Sequence, residues 1–472
     1  MGVAPAPPIP RYKGPVDAAE VEILKAEVDA LSLALAEERF RHVAGLEPAP
    51  SLAPLFDAHS RAAHRETVAA LRESGEGALA ERVASLRAER AAASDEEEWR
   101  SASAAATASG PGGSVGPCEA ELLAVRERNR SRRSALAEAA ARAARTSEAS
   151  REAAAERRAR ARAEMGLTPP WEEVVEADLL LGASDDAYRE ALTWLAAQEG
   201  LAPRPGGDLE RADLRYLLAL GGYDGLFRDA LLFREVARAL PGLGLDTGRV
   251  RVEAGNRRGQ WPGAHVFEGR VSFRGQGGAA DWLGLFGAAA AAVAAAASPP
   301  SRRAPEFPAA LSALAASLLL VPRFLEAELG VERKHVKDLV RSLALRRLFE
   351  LRVRAAALRV AAESERGTSG AALQEAHREA LSSAALAAWP KGLAARDSDA
   401  GALAAALRGA AAGEALRRQL TERYDEDFYR NPRTRPAVAG LLAAGSTAPG
   451  TERPPLAIAA EALAKAIERG TS

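Results

Sequence analysis

Residues 279–297 read AADWLGLFGAAAAAVAAAA, and from Trp282 to Ala297 every residue is apolar. Most are alanine, which enters a helix at the least entropic cost and carries almost no side chain to bury. The preceding RGQGG (274–278) is a polar, glycine-rich turn. The apolar run is shorter than the roughly 18 residues expected of a membrane span, and alanine contributes little to insertion, so the expectation is a buried helix. What such a helix packs against is the question from which the rest of the chain is read.

The 472 residues are 47% hydrophobic and 27% charged with a formal net charge of -1, the profile of a soluble globular protein with a sizeable core. That balance gives no global attraction to nucleic acid or to a membrane, and neither is expected as a partner. Cys118 is the single cysteine, so no intramolecular disulfide can form; this fits a reducing compartment, and the cytoplasm is the expected location. MGVAPAPPIPRYKGPVD at the start lacks the basic residues and apolar run of a signal peptide. Residues 1–16 are read as a Pro-rich tail.

Helix signals dominate outward from the quoted stretch. Asp17 and Glu20 have capping-box spacing, and Leu24, Val28, Leu31 and Leu35 form one apolar stripe behind them. Further helices are expected over 51–73, 76–93 and 95–107, with a break at SGPGGSVGP (109–117), and again near 185–199, 209–220 and 226–238. Residues 118–164 form one long arginine-rich segment. Acids and alanines interleave with the arginines and no aromatics accompany them, so it reads as a solvated helix face rather than a nucleic-acid surface. GLGLDTG (242–248) follows a helix, and its glycines read as a turn rather than a nucleotide fingerprint. Only Gly248–Arg274 reads as sheet: Val250 and Val252, then Val271 and Phe273, alternate with polar residues, and a small antiparallel sheet is expected there.

Six histidines, His42, His59, His64, His265, His335 and His377, show no metal-ligand spacing, and each is read as a surface or capping residue. GxSxG, Walker and dinucleotide motifs are absent.

The order of segments resembles the zinc oligopeptidases of the oligoendopeptidase F and thimet oligopeptidase type. VRVEAGNRRGQWPGAHVFEGRVSFRGQGGAADWLGLF (250–286) is similar to the strands and turn that lead, in that family, into a helix bearing HExGH. HVAGLEP (42–48), ELLAVRERNRSRRSAL (121–136), ADLRYLLALGGYDGLFRDALLF (212–233) and the segment 406–446 also stand in the family's order. The resemblance implies a mainly α, zincin-like oligopeptidase fold with a small antiparallel β element beside the former zinc helix. It divides the chain into the tail 1–16, an N-terminal helical region 17–200 and a peptidase-like region 201–472.

On that pattern Gly287 stands at the first zinc histidine, Ala288 at the glutamate base and Ala291 at the second histidine, while the third ligand falls at Ser312. Zinc hydrolysis needs nitrogen or oxygen lone pairs on the ion, an open position for water and a base. Three of these residues have no side-chain lone pair at all. The segment 397–410 also carries alanine and leucine where the family has aromatic hydroxyls. The resemblance therefore implies a non-catalytic relative with no metal and no cofactor, binding an unidentified peptide or protein. In that family the strand beside the zinc helix pairs with extended substrate, so the resemblance implies that AHVFEGRVSF (264–273) offers backbone groups for such pairing; His265 and Glu268 are then candidate groove residues, or ordinary strand residues. Two alternatives stand beside this: a purely structural helical interaction protein with a filled cleft, and an alanine run that arose from genome composition without an enzymatic ancestor.

Overall fold

The computed structural model describes residues 15–201, 209–391, 399–447 and 453–470. All but the last two residues of the Pro-rich tail lie outside them.

The chain is mainly helical, as the periodicity predicts. α1 (Ala18–Val43) begins where the Asp17 carboxylate accepts the Glu20 N–H at 2.9 Å, and its stripe Leu24, Val28, Leu31 and Leu35 is buried. α2 (Ala53–Ala58), α3 (Arg65–Glu73) and α4 (Gly77–Ala105) close a first apolar core around that stripe. The two helices expected over 76–93 and 95–107 are one. No glycine or proline separates Ala93 from Asp95, and Ala92 and Ala93 are buried in its middle.

SGPGGSVGP is a hairpin rather than a simple break: β1 (Ala108–Gly110) pairs antiparallel with β2 (Gly113–Val115), with Gly112 and Gly113 at positive φ in the turn. The arginine-rich segment is three helices, α5 (Pro117–Arg126), α6 (Arg130–Arg145) and α7 (Glu148–Glu164). Asn129 caps α6 by accepting the Arg132 N–H at 3.0 Å. Nor are its arginines all solvated. Arg133 is fully buried, its Nη2 at 2.6 Å from the Asp213 carboxylate.

A second, larger core runs from Val174 to Ile467. It takes in α8 (Trp171–Gln198), which begins nearly four turns before the expected 185. It also includes α9 (Arg211–Leu218) and α10 (Asp229–Ala239), with β3 (Leu209–Glu210) leading into α9. Beyond α10, Gly244 closes a turn at φ 83, as GLGLDTG predicts.

The region 248–274 is sheet but is not all antiparallel. β4 (Arg251–Ala254), β5 (Gly263–Phe267) and β6 (Arg270–Arg274) lie in the order β4-β6-β5, with β5 and β6 an antiparallel hairpin and β4 parallel to β6. Alternation reveals which residues share a face and is silent on strand direction. GNRRGQWP, between β4 and β5, carries the chain across the sheet; Val252, on the edge strand β4, is exposed, while Val271 and Phe273, on the central strand β6, are buried.

α11 (Ala279–Ala297) follows β6, then α12 (Phe307–Ser317), α13 (Pro322–Leu329), α14 (Arg333–Glu365), α15 (Gly370–Ala385) and β7 (Ala387–Ala388), which pairs parallel with β3. α16 (Ala400–Tyr424), α17 (Thr434–Ala444) and α18 (Ala457–Arg469) complete the described chain. At 19 residues α11 is long and apolar enough to cross a membrane, yet 89% of its apolar window is buried inside the protein. Small residues let its neighbours approach closely. A Cβ at Gly409 of α16 would stand 2.7 Å from the Glu306 carbonyl oxygen, and one at Gly413 2.7 Å from the Ala313 Cβ, so α16 and α12 touch backbone to backbone.

Candidate functional site

α11 enters from a turn that only glycine can make. Gly277 and Gly278 have φ of 87° and 69°, and a Cβ on either would strike the Arg126 guanidinium or the Asp224 carboxylate. Arg126 donates through Nε to the Gln276 carbonyl at 2.6 Å and through Nη2 to that of Gly277, and its Nη1 pairs with Asp224 at 2.7 Å. Asp281 accepts the N–H groups of Gln276 (2.9 Å) and Gly277 (2.7 Å); burial raises its carboxyl above the ordinary value. Asp229 accepts the Gly278 N–H at 3.3 Å. The segments 121–136 and 212–233 thus meet at the start of α11. The segment 42–48 meets the sheet: the Trp261 N–H donates to the Val43 carbonyl at 2.9 Å, and Gly45 lies against the Gln260 backbone.

One side of α11 carries Trp282 and Phe286, stacked with centroids 6.2 Å apart, and they continue through Phe324 to Tyr429 in the large core. Ala280, Gly284, Gly287, Ala288, Ala291 and Ala295, at intervals of three or four or one, form the opposite face. Gly284 is exposed; the others are buried. The candidate positions 287, 288 and 291 therefore share one face, away from the aromatic ladder. Ser312 of α12 faces it too, its Oγ 2.6 Å from where a Cβ on Gly287 would stand.

These residues do not fit zinc. The set Gly287, Ala288, Ala291 and Ser312 offers one hydroxyl, and that hydroxyl occupies the space a side chain at 287 would need. Among the described residues, no three His, Cys, Asp or Glu side chains gather as a metal ion would require.

β5 runs along the same face of α11: Ala264 Cβ lies 3.8 Å from the Cβ position of Gly284, and Gly269, at the hairpin turn, abuts Ala296. Because Phe267 and Arg270 flank a two-residue turn, the β5 residues that exchange backbone bonds with β6 are 263, 265 and 267. The Gly255 N–H donating to the Phe273 carbonyl at 3.1 Å, on the β4 side, agrees with this phase. The N–H and C=O groups of Ala264 and Val266 consequently point to the outer edge, where no partner is found for them among the described residues. Beside Val266 and Phe267 lies a cavity of about 280 Å³, walled by α1 and α4. Arg39 on its wall is held between Glu89 (2.8 Å) and Glu96 (3.1 Å), which raise its guanidinium further above its ordinary value.

His265 faces away from α11. Its Nε2 shares a hydrogen bond with the Pro262 carbonyl at 2.9 Å, and its ring meets Trp261, which in turn meets His42 and Trp99. Burial lowers the pKa of both histidines, that of His42 to about 4. Glu268, in the hairpin turn at φ 40, lines the cavity and pairs with Arg303, which also donates to the carbonyls of Ala295 in the last turn of α11 and of Ser298 just after it. Of the six histidines, His64 caps α3, whereas His42 and His377 are buried rather than on the surface. In the segment 397–410, residues 397 and 398 lie outside the described residues, and Asp399 caps α16 by accepting the Ala402 N–H at 2.9 Å. The resemblance already points to AHVFEGRVSF as the strand that offers backbone groups to an extended peptide; that the outward groups are those of Ala264 and Val266 comes from the β5–β6 register, which the sequence does not show.

No protein-family model and no curated protein matches the chain. Among solved structures, one described as "a putative oligoendopeptidase F from Bacillus anthracis str. Ames" is similar to it, with 13% sequence identity and a TM-score of 0.48 over 96% of this chain and 86% of that one.

Proposed function

We propose that this chain is a non-hydrolytic relative of the zinc oligopeptidases that binds an extended segment of a peptide or protein along the outer edge of β5. The observation that carries the reading is the pair Ala264 and Val266, whose edge-facing backbone groups have no described partner and stand beside a cavity between β5, α1 and α4. An extended peptide adds to such an edge through its own N–H and C=O groups, and the adjoining cavity takes a side chain. The absence of hydrolysis follows from chemistry: Gly287, Ala288 and Ala291 hold neither a metal nor a proton. A cytoplasmic location belongs to the same reading, motivated by the single Cys118.

The competing reading, a structural protein with a filled cleft, draws on the contact between Gly287 and Ser312 and on the burial of Ala288 and Ala291. Val266→Pro separates the two. Val266 and Val271 are a non-hydrogen-bonded pair, so proline there removes an outward N–H and spares the β5–β6 ladder. Fluorescence anisotropy with a pool of unstructured peptides should show binding by the natural chain, weakened about tenfold or more by the substitution. If no peptide binds, the structural reading stands; if binding is unchanged by Val266→Pro, the edge is not the site.

A further inference from the structure

On the far side of α12 from Gly287 lies a second cavity, of about 270 Å³, enclosed by α12, α14, α16 and α18. It is lined by five cations, Arg347, Arg417, Arg418, Lys465 and Arg469, and by one carboxylate, Glu414. In a chain whose net charge is -1, that is a strong local excess of positive charge.

The one carboxylate is already shared. Glu414 receives Arg417 through two bonds of 2.8 Å and Arg418 through one of 2.9 Å. Arg347 donates to the Ala313 carbonyl at 3.3 Å, and neither it, Lys465 nor Arg469 has an ion pair among the described residues. Burial pushes the Arg347 guanidinium below its ordinary value, against the opposing attraction of Glu350 and Glu414. A half-buried guanidinium without an ion pair gains from an anion brought to it.

We infer that this cavity binds a small phosphate-bearing molecule, with Arg347 at its floor and Lys465 and Arg469 at its mouth. Guanidinium forks match phosphate oxygens two at a time, and a lysine adds a mobile point charge. Leu320, Val321, Leu351 and Leu463 give the same cavity an apolar wall for a compact organic group. A volume of about 270 Å³ suits a compact molecule rather than a stretch of nucleic acid or of an acidic protein segment. The inference is independent of the reading of β5: none of the residues that line the first cavity lines this one.

The test is calorimetric titration of the full chain with pyrophosphate and with phenyl phosphate, at fixed ionic strength. Saturable binding of at least one probe near one per chain is expected, weakened about tenfold by Arg347→Gln and less by Lys465→Gln, which lies at the exposed mouth where folding is not at risk. Arg333→Gln, exposed at the other end of α14, should change nothing. Glu414→Gln should tighten binding, since it frees two guanidiniums. Absence of saturable binding for both probes, or binding equally strong in the Arg347 and Lys465 variants, would overturn the inference.

Discussion

Ser312 Oγ occupies the space in front of Gly287, 2.6 Å from where a Cβ would project. Two residues 25 positions apart, on consecutive helices, thus meet across the α11–α12 interface. The contact is made by the smallest possible pair of side chains that still includes a hydroxyl.

A hydroxyl can rotate away, and a carbonyl cannot. Gly287→Ala should therefore be near neutral, within about 1 kcal/mol, because helix propensity gains about as much as the displaced serine rotamer costs. Gly413→Ala drives its methyl onto the Ala310 carbonyl and the Ala313 Cβ. It should cost about 1–3 kcal/mol by overpacking. Denaturant unfolding of both variants checks the difference; equal effects would show that α11 and α16 are not packed as described.

The register of α11 against α12 can be read with a metal. Gly287→His with Ala291→His places two imidazoles one turn apart on one face, and Ser312→Glu adds a carboxylate from across the interface. Overpacking will lower stability, so the readout is zinc affinity of the folded variants. Affinity should rise from the two-histidine chain to the three-residue variant. A folded triple variant that binds zinc no better than the double one would contradict the register.

Hydrogen exchange distinguishes a mixed sheet from an antiparallel pair. β6 is bonded on both sides, so the amides of Val271 and Phe273 should be among the slowest in the region. Those of Ala264 and Val266 should exchange much faster, since they face the open edge. Equal protection of the β5 amides at 264 and 266 would mean that something covers that edge.

Acid should weaken the contact between α1 and the sheet through His42, which is 3% exposed against Trp261. Burial, with the Arg100 cation as the second cause, pushes its pKa down to about 4, whereas the unfolded chain titrates near the ordinary 6.5. Between those values the unfolded state binds a proton that the folded state refuses. Stability is therefore full above about pH 6.5 and falls by about 3 kcal/mol as the pH drops toward 4. Unfolding curves across that window should show the slope, and His42→Phe should remove this residue's part of it.

Much of the architecture was legible in the residues: the capped stripe of α1, the buried alanine helix, and Gly277 and Gly278 as the entry to it. That Gly287 and Ala291 share a face follows from helical spacing, whereas Ser312 opposite them was implied only by the resemblance. Strand direction was not legible, because Val250 and Val252 alternate in the same way whether β4 runs parallel or antiparallel to β6. Nor was burial of charge. Arg133 is written with the same letter as the solvated arginines around it, and only its burial against Asp213 tells it apart. The resemblance pointed to the strand AHVFEGRVSF, but which of its backbone groups face outward, those of Ala264 and Val266, is set by the hairpin register and leaves no mark in composition or periodicity.

The central claim is that the protein holds peptide and does not cut it. The natural full-length chain, supplied with zinc, should be incubated with a pool of unstructured peptides, and the retained and free fractions read by mass spectrometry. The account predicts intact peptides retained by the natural chain and lost from Val266→Pro, with no new termini in either fraction. Cleavage that a chelator abolishes would contradict it.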